Sequence, residues 1–157
     1  MAVEIGAMAP DFTLQDPTGT PVSLSSFRGR RNVVLIFYPG AFSEFCTSQF
    51  RDLSAIEERY ALDGDAQVIG VSVDSRYTQG RFAGDLGLTD TIMLADFFPK
   101  GEVARAYGVF SPDYDTAGRA TFIIDTGGVV RGRMLTETPL TIPDQDEYFA
   151  TLAACRT

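Results

Sequence analysis

This sequence predicts one α/β domain, a mixed β-sheet flanked by helices, on three observations. Runs of β-branched apolar residues alternate with segments of helical apolar spacing through the first hundred residues, the pattern of parallel strands joined by crossovers. Two later strands meet at a tight TGG turn and must pair antiparallel. The chain has 157 residues, 45% of them hydrophobic, which suits a single core. Residues 1–157 are therefore read as one domain.

In chain order, DFTLQDPTGTPVSLSSF alternates about a turn-rich DPTGTP and predicts an N-terminal β-hairpin. NVVLIFY (32–38) is an apolar β-branched run, the signature of a central strand buried on both faces. The loop PGAFSE follows. Over 45–61 the apolar residues Phe50, Leu53, Ile56 and Tyr60 take helical spacing. AQVIGVSVD (66–74) predicts a second buried strand. SRYTQGRFAGDLG (75–87) predicts a helix weakened by Gly80, Gly84 and Gly87. A short strand over 91–96 and a short helix over 100–109 come next. RATFIIDTGGVVRGRMLT predicts two strands about a hairpin turn, and DQDEYFATLAACR a closing helix with acidic residues in its first turn, where they suit the dipole. This order is compatible with a thioredoxin-like fold, which periodicity alone does not select.

Composition excludes several functions. The net charge of −8 is wrong for a nucleic-acid binder, which needs a basic face, and for attachment to anionic lipid. No stretch is long and apolar enough to span a membrane, and MAVEIGAMAPDF lacks the regions of a secretory signal. A cytoplasmic location with reduced cysteines is expected. The chain has no histidine, so a Ser-His-Asp or Cys-His nucleophile and a His-ligated metal site are ruled out. Neither metal nor cofactor is expected. RGRR (28–31) reads as a solvated turn, and DGD (63–65) as a turn lacking the further ligands of a calcium loop.

One of the two cysteines, Cys46, stands at the strand-loop-helix junction after the central strand. Helical spacing puts it on the stripe of Phe50, Leu53 and Tyr60, so its thiol points into the domain. At the first turn of a helix, free N–H groups and the positive dipole end favour a thiolate and replace the missing histidine. Ser43 can cap this helix and offer a hydroxyl to a small polar substrate. Pro39 fixes the start of the loop. Glu44 opposes an anionic sulfur and is expected to face solvent. The plain alternative is that Cys46 is a small buried hydrophobe, as free cysteines often are.

PGAFSEFC fits P-x-x-x-(T/S)-x-x-C and resembles the active-site loop of the peroxiredoxins (AhpC/TSA superfamily). GRATFIID resembles the segment that carries that family's catalytic arginine, here Arg119. LADFFPKGEVARAYGVF is similar to the matching block of the alkyl hydroperoxide reductase E type, with related blocks in the bacterioferritin-comigratory type. GAMAPDFTLQDPTGTPVSLSSFRG resembles the usual opening of the family. The resemblance implies a thioredoxin-like fold and a thiol peroxidase. Cys46 would attack a hydroperoxide and become a sulfenic acid. Ser43, Arg119 and the N–H groups of Phe45 and Cys46 would hold the peroxide oxygens, and Pro39 would shield the site. Gln49, one turn on, would orient Arg119 or else lie solvated on the helix. Two departures stand out: Ser43 replaces the commoner threonine, and Arg51 occupies a position where some members carry a resolving cysteine.

Cys155 is the only internal thiol able to reduce a sulfenic acid at Cys46. Its spacing with Tyr148 and Leu152 fits the apolar stripe of the last helix, so it is read as packing, with a resolving role as the alternative. The resemblance favours a one-cysteine cycle with an external reductant: a low-molecular-weight thiol, a mycoredoxin-like protein or thioredoxin. It also implies a homodimer or higher homo-oligomer. The aromatics Tyr38, Phe42, Phe45, Phe97, Phe98 and Phe110 crowd the expected active-site end; most are read as core, some as a dimer surface or apolar collar. Two other functions compete. A thioredoxin-class disulfide reductase requires C-x-x-C, and TSQ follows Cys46. A peroxide-sensing or chaperone-like module would oxidise Cys46 with slow or no turnover.

Overall fold

A computed structural model of the protein describes residues 1–136, 138 and 140–155. The strands are Thr13–Gln15 (β1), Pro21–Ser23 (β2), Asn32–Phe37 (β3), Ala66–Ser72 (β4), Ile92–Ala95 (β5), Phe110–Ser111 (β6), Thr116–Ala117 (β7), Ala120–Ile124 (β8) and Val130–Leu135 (β9). The helices are Glu44–Gly64 (α1), Arg76–Leu86 (α2), Glu102–Ala106 (α3) and Gln145–Ala154 (α4), with a 3-10 turn at Leu24–Phe27. Seven strands form one sheet in the order β2-β1-β5-β4-β3-β8-β9. β3, β4 and β5 run parallel, and the remaining pairings are antiparallel. This is the mixed sheet the sequence predicts.

The central strands β3, β4 and β8 are buried at every residue, because helices or loops cover both faces. Successive side chains alternate between the faces. Val33, Leu35 and Phe37 of β3 join Phe12, Leu24, Val103 and Tyr107 on one side. Val34, Ile36 and Tyr38 join Phe50, Leu53, Phe82, Tyr148 and Leu152, from α1, α2 and α4, on the other. Gly70 in β4 lets α1 lie close: a Cβ there would stand 2.8 Å from Met93 Sδ and 3.3 Å from the Phe50 ring.

Helix ends follow local chemistry. The glycine-weakened α2 forms because Ser75 caps it, its Oγ accepting from Thr78 N at 3.3 Å, and because Phe82 is buried. α1 runs through Gly64, past the expected end at 61, and stops at Asp65 with φ 47°; aspartate tolerates this left-handed conformation. The expected DGD turn is thus the last turn and cap of α1. The small β6–β7 hairpin was not expected. Arg31 is not solvated as read from RGRR: it donates to Gln67 Oε1 at 2.9 Å and to Ala66 O at 2.7 Å, bracing the start of β4. The turn expected there is exposed through Arg28–Arg30, and Arg31 alone is half-buried.

Glu57 on α1 is a buried carboxylate that holds the turn before β5. Its oxygens accept from the N–H and hydroxyl of both Thr89 and Thr91 at 2.7–3.2 Å. Burial alone would raise its pKa, but these hydrogen bonds prevail and hold it below its ordinary 4.5. Its ionised form therefore contributes stability at neutral pH, which is lost as pH falls below 4.5 through the folded-state value. Glu57→Ala is expected to cost about 1–3 kcal/mol at pH 7. Urea unfolding at pH 7 and pH 3 checks it: the gap from wild type should narrow at the lower pH.

Candidate active site

The parallel strands deliver their carboxyl ends to one edge of the domain, and Cys46 lies there at the first turn of α1. Its side chain is fully buried and points toward the sheet, as the helical spacing predicts. Ser43 is the N-cap, with extended backbone and its Oγ accepting from Cys46 N at 3.4 Å. The N–H of Phe45 belongs to the same first turn, where helix donors have no acceptor within the helix. Pro39 stands two residues past the end of β3, at the start of the loop, and Glu44 is exposed.

Arg119 comes from far along the chain. β8 pairs antiparallel with β3, with Ala120 opposite Phe37, so the residue before β8 arrives beside the residue after β3. The Arg119 side chain is buried, only 3% exposed. Its Nη1 donates to Cys46 Sγ at 3.3 Å and to Gln49 Oε1 at 2.5 Å. Gln49 lies three residues past Cys46 and so on the same face of α1; it is buried at 6% exposure, not solvated. Thr136 donates from its N–H (3.3 Å) and hydroxyl (2.9 Å) to Arg119 O, holding the arginine backbone. Thr121 and Tyr148 share a buried hydroxyl contact at 2.7 Å that fixes α4 against β8 beside it.

The structure thus brings Cys46, Ser43, Phe45, Gln49 and Arg119 to one place, with Pro39 in the loop that leads to them. A guanidinium and the positive end of α1 converge on one sulfur. Such an arrangement stabilises an anionic nucleophile and the charge that develops on a leaving oxygen. A separate groove of about 580 Å³ lies between α1 and the segment before α4, with Gln49, Asp52, Ile56, Pro143 and Tyr148 in its lining; it meets Gln49 and not the sulfur. Sequence reasoning missed Thr136, which carries no local signal.

Cys155 lies elsewhere. It follows α4, whose Leu152 packs on Gly64, and Gly64 is 18 residues past Cys46 on α1, about 27 Å at the helical rise. A disulfide needs Cα atoms about 4.4–6.8 Å apart, so the two thiols cannot join within one folded chain. Burial pushes the Cys155 thiol above its ordinary value, with Asp125 adding to this and Arg131 opposing it. The aromatic expectation needs correction as well. Tyr38 is fully buried, packed on Phe50 at 4.7 Å, but Phe42, Phe97 and Phe98 are 51%, 55% and 90% exposed. Phe97 and Phe98 sit in the turn after β5, and Phe42 in the turn before α1, where Phe82 of α2 covers only part of its ring.

A buried thiol at the start of the helix after the central strand, met by an arginine from an adjacent antiparallel strand, defines a thiol-redox protein on a thioredoxin-like sheet. The chain belongs to the AhpC/TSA family, whose sequence model matches residues 5–133, and is a peroxiredoxin. It is 36% identical over 152 residues to alkyl hydroperoxide reductase E of Mycobacterium tuberculosis, covering 97% of each chain. It is 34% identical over 134 residues to peroxiredoxin Bcp of Bacillus subtilis, covering 82% of each. The crystal structure of peroxidoxin BcpB from Mycobacterium tuberculosis superposes with a TM-score of 0.85 at 32% identity, over 98% of this chain and 99% of that one.

Proposed function

We propose that this thiol-dependent peroxidase reduces hydrogen peroxide and alkyl hydroperoxides at Cys46 in a one-cysteine cycle. The observation that carries the reading is the Arg119 Nη1 contact with Cys46 Sγ at 3.3 Å, braced by Gln49. The sulfur, as thiolate, attacks the terminal peroxide oxygen. An S–O bond forms as the O–O bond breaks, and the leaving oxygen takes a proton and departs as water or alcohol. Cys46 is oxidised by two electrons to the sulfenic acid. Arg119, the Ser43 hydroxyl and the Phe45 N–H face the oxygens whose charge changes; the Cys46 N–H is shared with the Ser43 cap.

An external thiol then condenses with the sulfenic acid, releasing water, and a second thiol reduces the mixed disulfide. The distance of Cys155 from the site supports this route, as does Arg51 at the position of a local resolving cysteine. Turnover distinguishes the peroxidase from a sensor or chaperone-like module. Cys155→Ser is expected to keep wild-type steady-state peroxide reduction with dithiothreitol as the reductant. Loss of turnover in Cys155→Ser with the first oxidation intact would assign Cys155 the resolving step.

Among the described residues no helix is long and apolar enough to cross a membrane. The exposed Phe42, Phe97 and Phe98 at the Cys46 end support a homodimer through that face. Sedimentation of wild type and Phe98→Ser tests it, with a shift toward monomer expected in the variant.

A further inference from the structure

We infer that Asp74, just past β4, is a positioning residue that holds the loop before Cys46 in its reactive shape. This rests on the reading of Cys46 as the attacking thiol. Residues 40–43 form a turn in which Ser43 N donates to Gly40 O at 3.4 Å and Phe42 has φ 69°. A positive φ at the third position of a turn calls for glycine or asparagine, and phenylalanine there is strained. Such strain persists only where the surroundings over-determine it. Two contacts do so. The Phe42 ring meets Phe82 of α2 edge-on at 5.2 Å, and the Ala41 N–H donates to Asp74 Oδ2 at 2.8 Å.

The carboxylate is itself fixed from the fold. Ser72 Oγ donates to the same Oδ2 at 2.8 Å and accepts from Gln79 Nε2 at 2.9 Å. The other Gln79 amide hydrogen goes to Leu94 O at 2.7 Å. Ser72 and Gln79 have no exposed surface. The ends of β4 and β5 and the first turns of α2 thus converge on one carboxylate, which grips the turn two residues before Ser43. The turn in turn sets the Ser43 cap, the Phe45 N–H and the Cys46 sulfur relative to one another.

The sign of the effect separates positioning from charge. A carboxylate near an anionic sulfur opposes it, so an electrostatic bystander would accelerate the reaction when removed. A positioning residue slows it. The test uses a Cys155→Ser background and stopped-flow measurement of the reaction with hydrogen peroxide, beside the rate of Cys46 alkylation by iodoacetamide. Asp74→Ala is expected to lower the peroxide rate constant about 10- to 100-fold, the scale of small misplacements at a reacting centre, and to leave alkylation within about twofold. Asp74→Asn keeps an acceptor oxygen and should recover to within about fivefold of wild type. A peroxide rate at or above wild type in Asp74→Ala overturns the inference, as does equal slowing of alkylation. If Asp74→Ala does not fold, Ser72→Ala, which frees the carboxylate from its orienting hydroxyl, carries the same expectations and the same overturning results. Peroxide consumption that survives Cys46→Ser in the same series sinks the underlying reading of Cys46 and this inference with it. Loss in Cys46→Ser with an unchanged Asp74→Ala sinks the inference alone.

Discussion

Replacing Cys46 with serine is expected to abolish thiol-dependent peroxide reduction, leaving only the background rate of the reductant. The substitution is nearly isosteric at a fully buried position, so the fold and the Ser43 cap should persist and circular dichroism should match wild type. What disappears is the soft, ionisable sulfur. A hydroxyl beside the Arg119 guanidinium is still a poor nucleophile toward peroxide oxygen, and no histidine exists in the chain to activate it. Peroxide consumption retained in Cys46→Ser would move the chemistry to Cys155, which lies at the opposite end of the sheet with its thiol disfavoured as an anion by burial.

Arg119→Ala carries the second large effect. Nη1 meets both Cys46 Sγ and Gln49 Oε1, so truncation removes the one cation contacting the sulfur among the described residues and leaves a buried amide oxygen without that donor. Loss of a pre-organised donor at a developing charge typically costs about 10²–10³ in rate. The second-order rate constant with peroxide should fall by that much. The unpaired Gln49 adds about 1–3 kcal/mol of destabilisation, to be read separately by urea unfolding. Arg119→Lys keeps the charge but puts it on a flexible stem without the fixed donor geometry of the planar guanidinium, so it should restore only part of the rate. An unchanged rate constant in a folded Arg119→Ala would show that the contact is structural.

The parts of this site differed in how plainly the sequence displayed them. β3, β4 and β8 were legible because burial on both faces writes a continuous apolar run, and Cys46 because a strand, a short loop and a helical stripe bracket it. Ser43 followed from the same junction as a cap. Arg119 had no local signal: a lone arginine before a strand looks like a surface charge, and only the family resemblance singled it out. The pairing of Ala120 with Phe37, a long-range register, is what brings it to the sulfur. Gln49 could be placed on the right face but not recognised as buried until Arg119 was beside it. The positive φ of Phe42 and the Asp74 contact were invisible, since phenylalanine is an unexpected residue for that conformation and the contact joins two loops. Phe97 and Phe98 misled in the other direction, because apolar character alone does not show whether an element covers the residue. The β6–β7 hairpin has two residues per strand, too few for alternation to register.

The central claim is that Cys46 is oxidised alone and waits for a thiol from outside. Intact-protein mass spectrometry after one equivalent of hydrogen peroxide, with dimedone present, tests it most directly. One dimedone adduct, mapped to Cys46, with Cys155 still a free thiol and no disulfide, is the predicted result. A disulfide between Cys46 and Cys155, within a chain or between two, or an adduct at Cys155 alone, would contradict it.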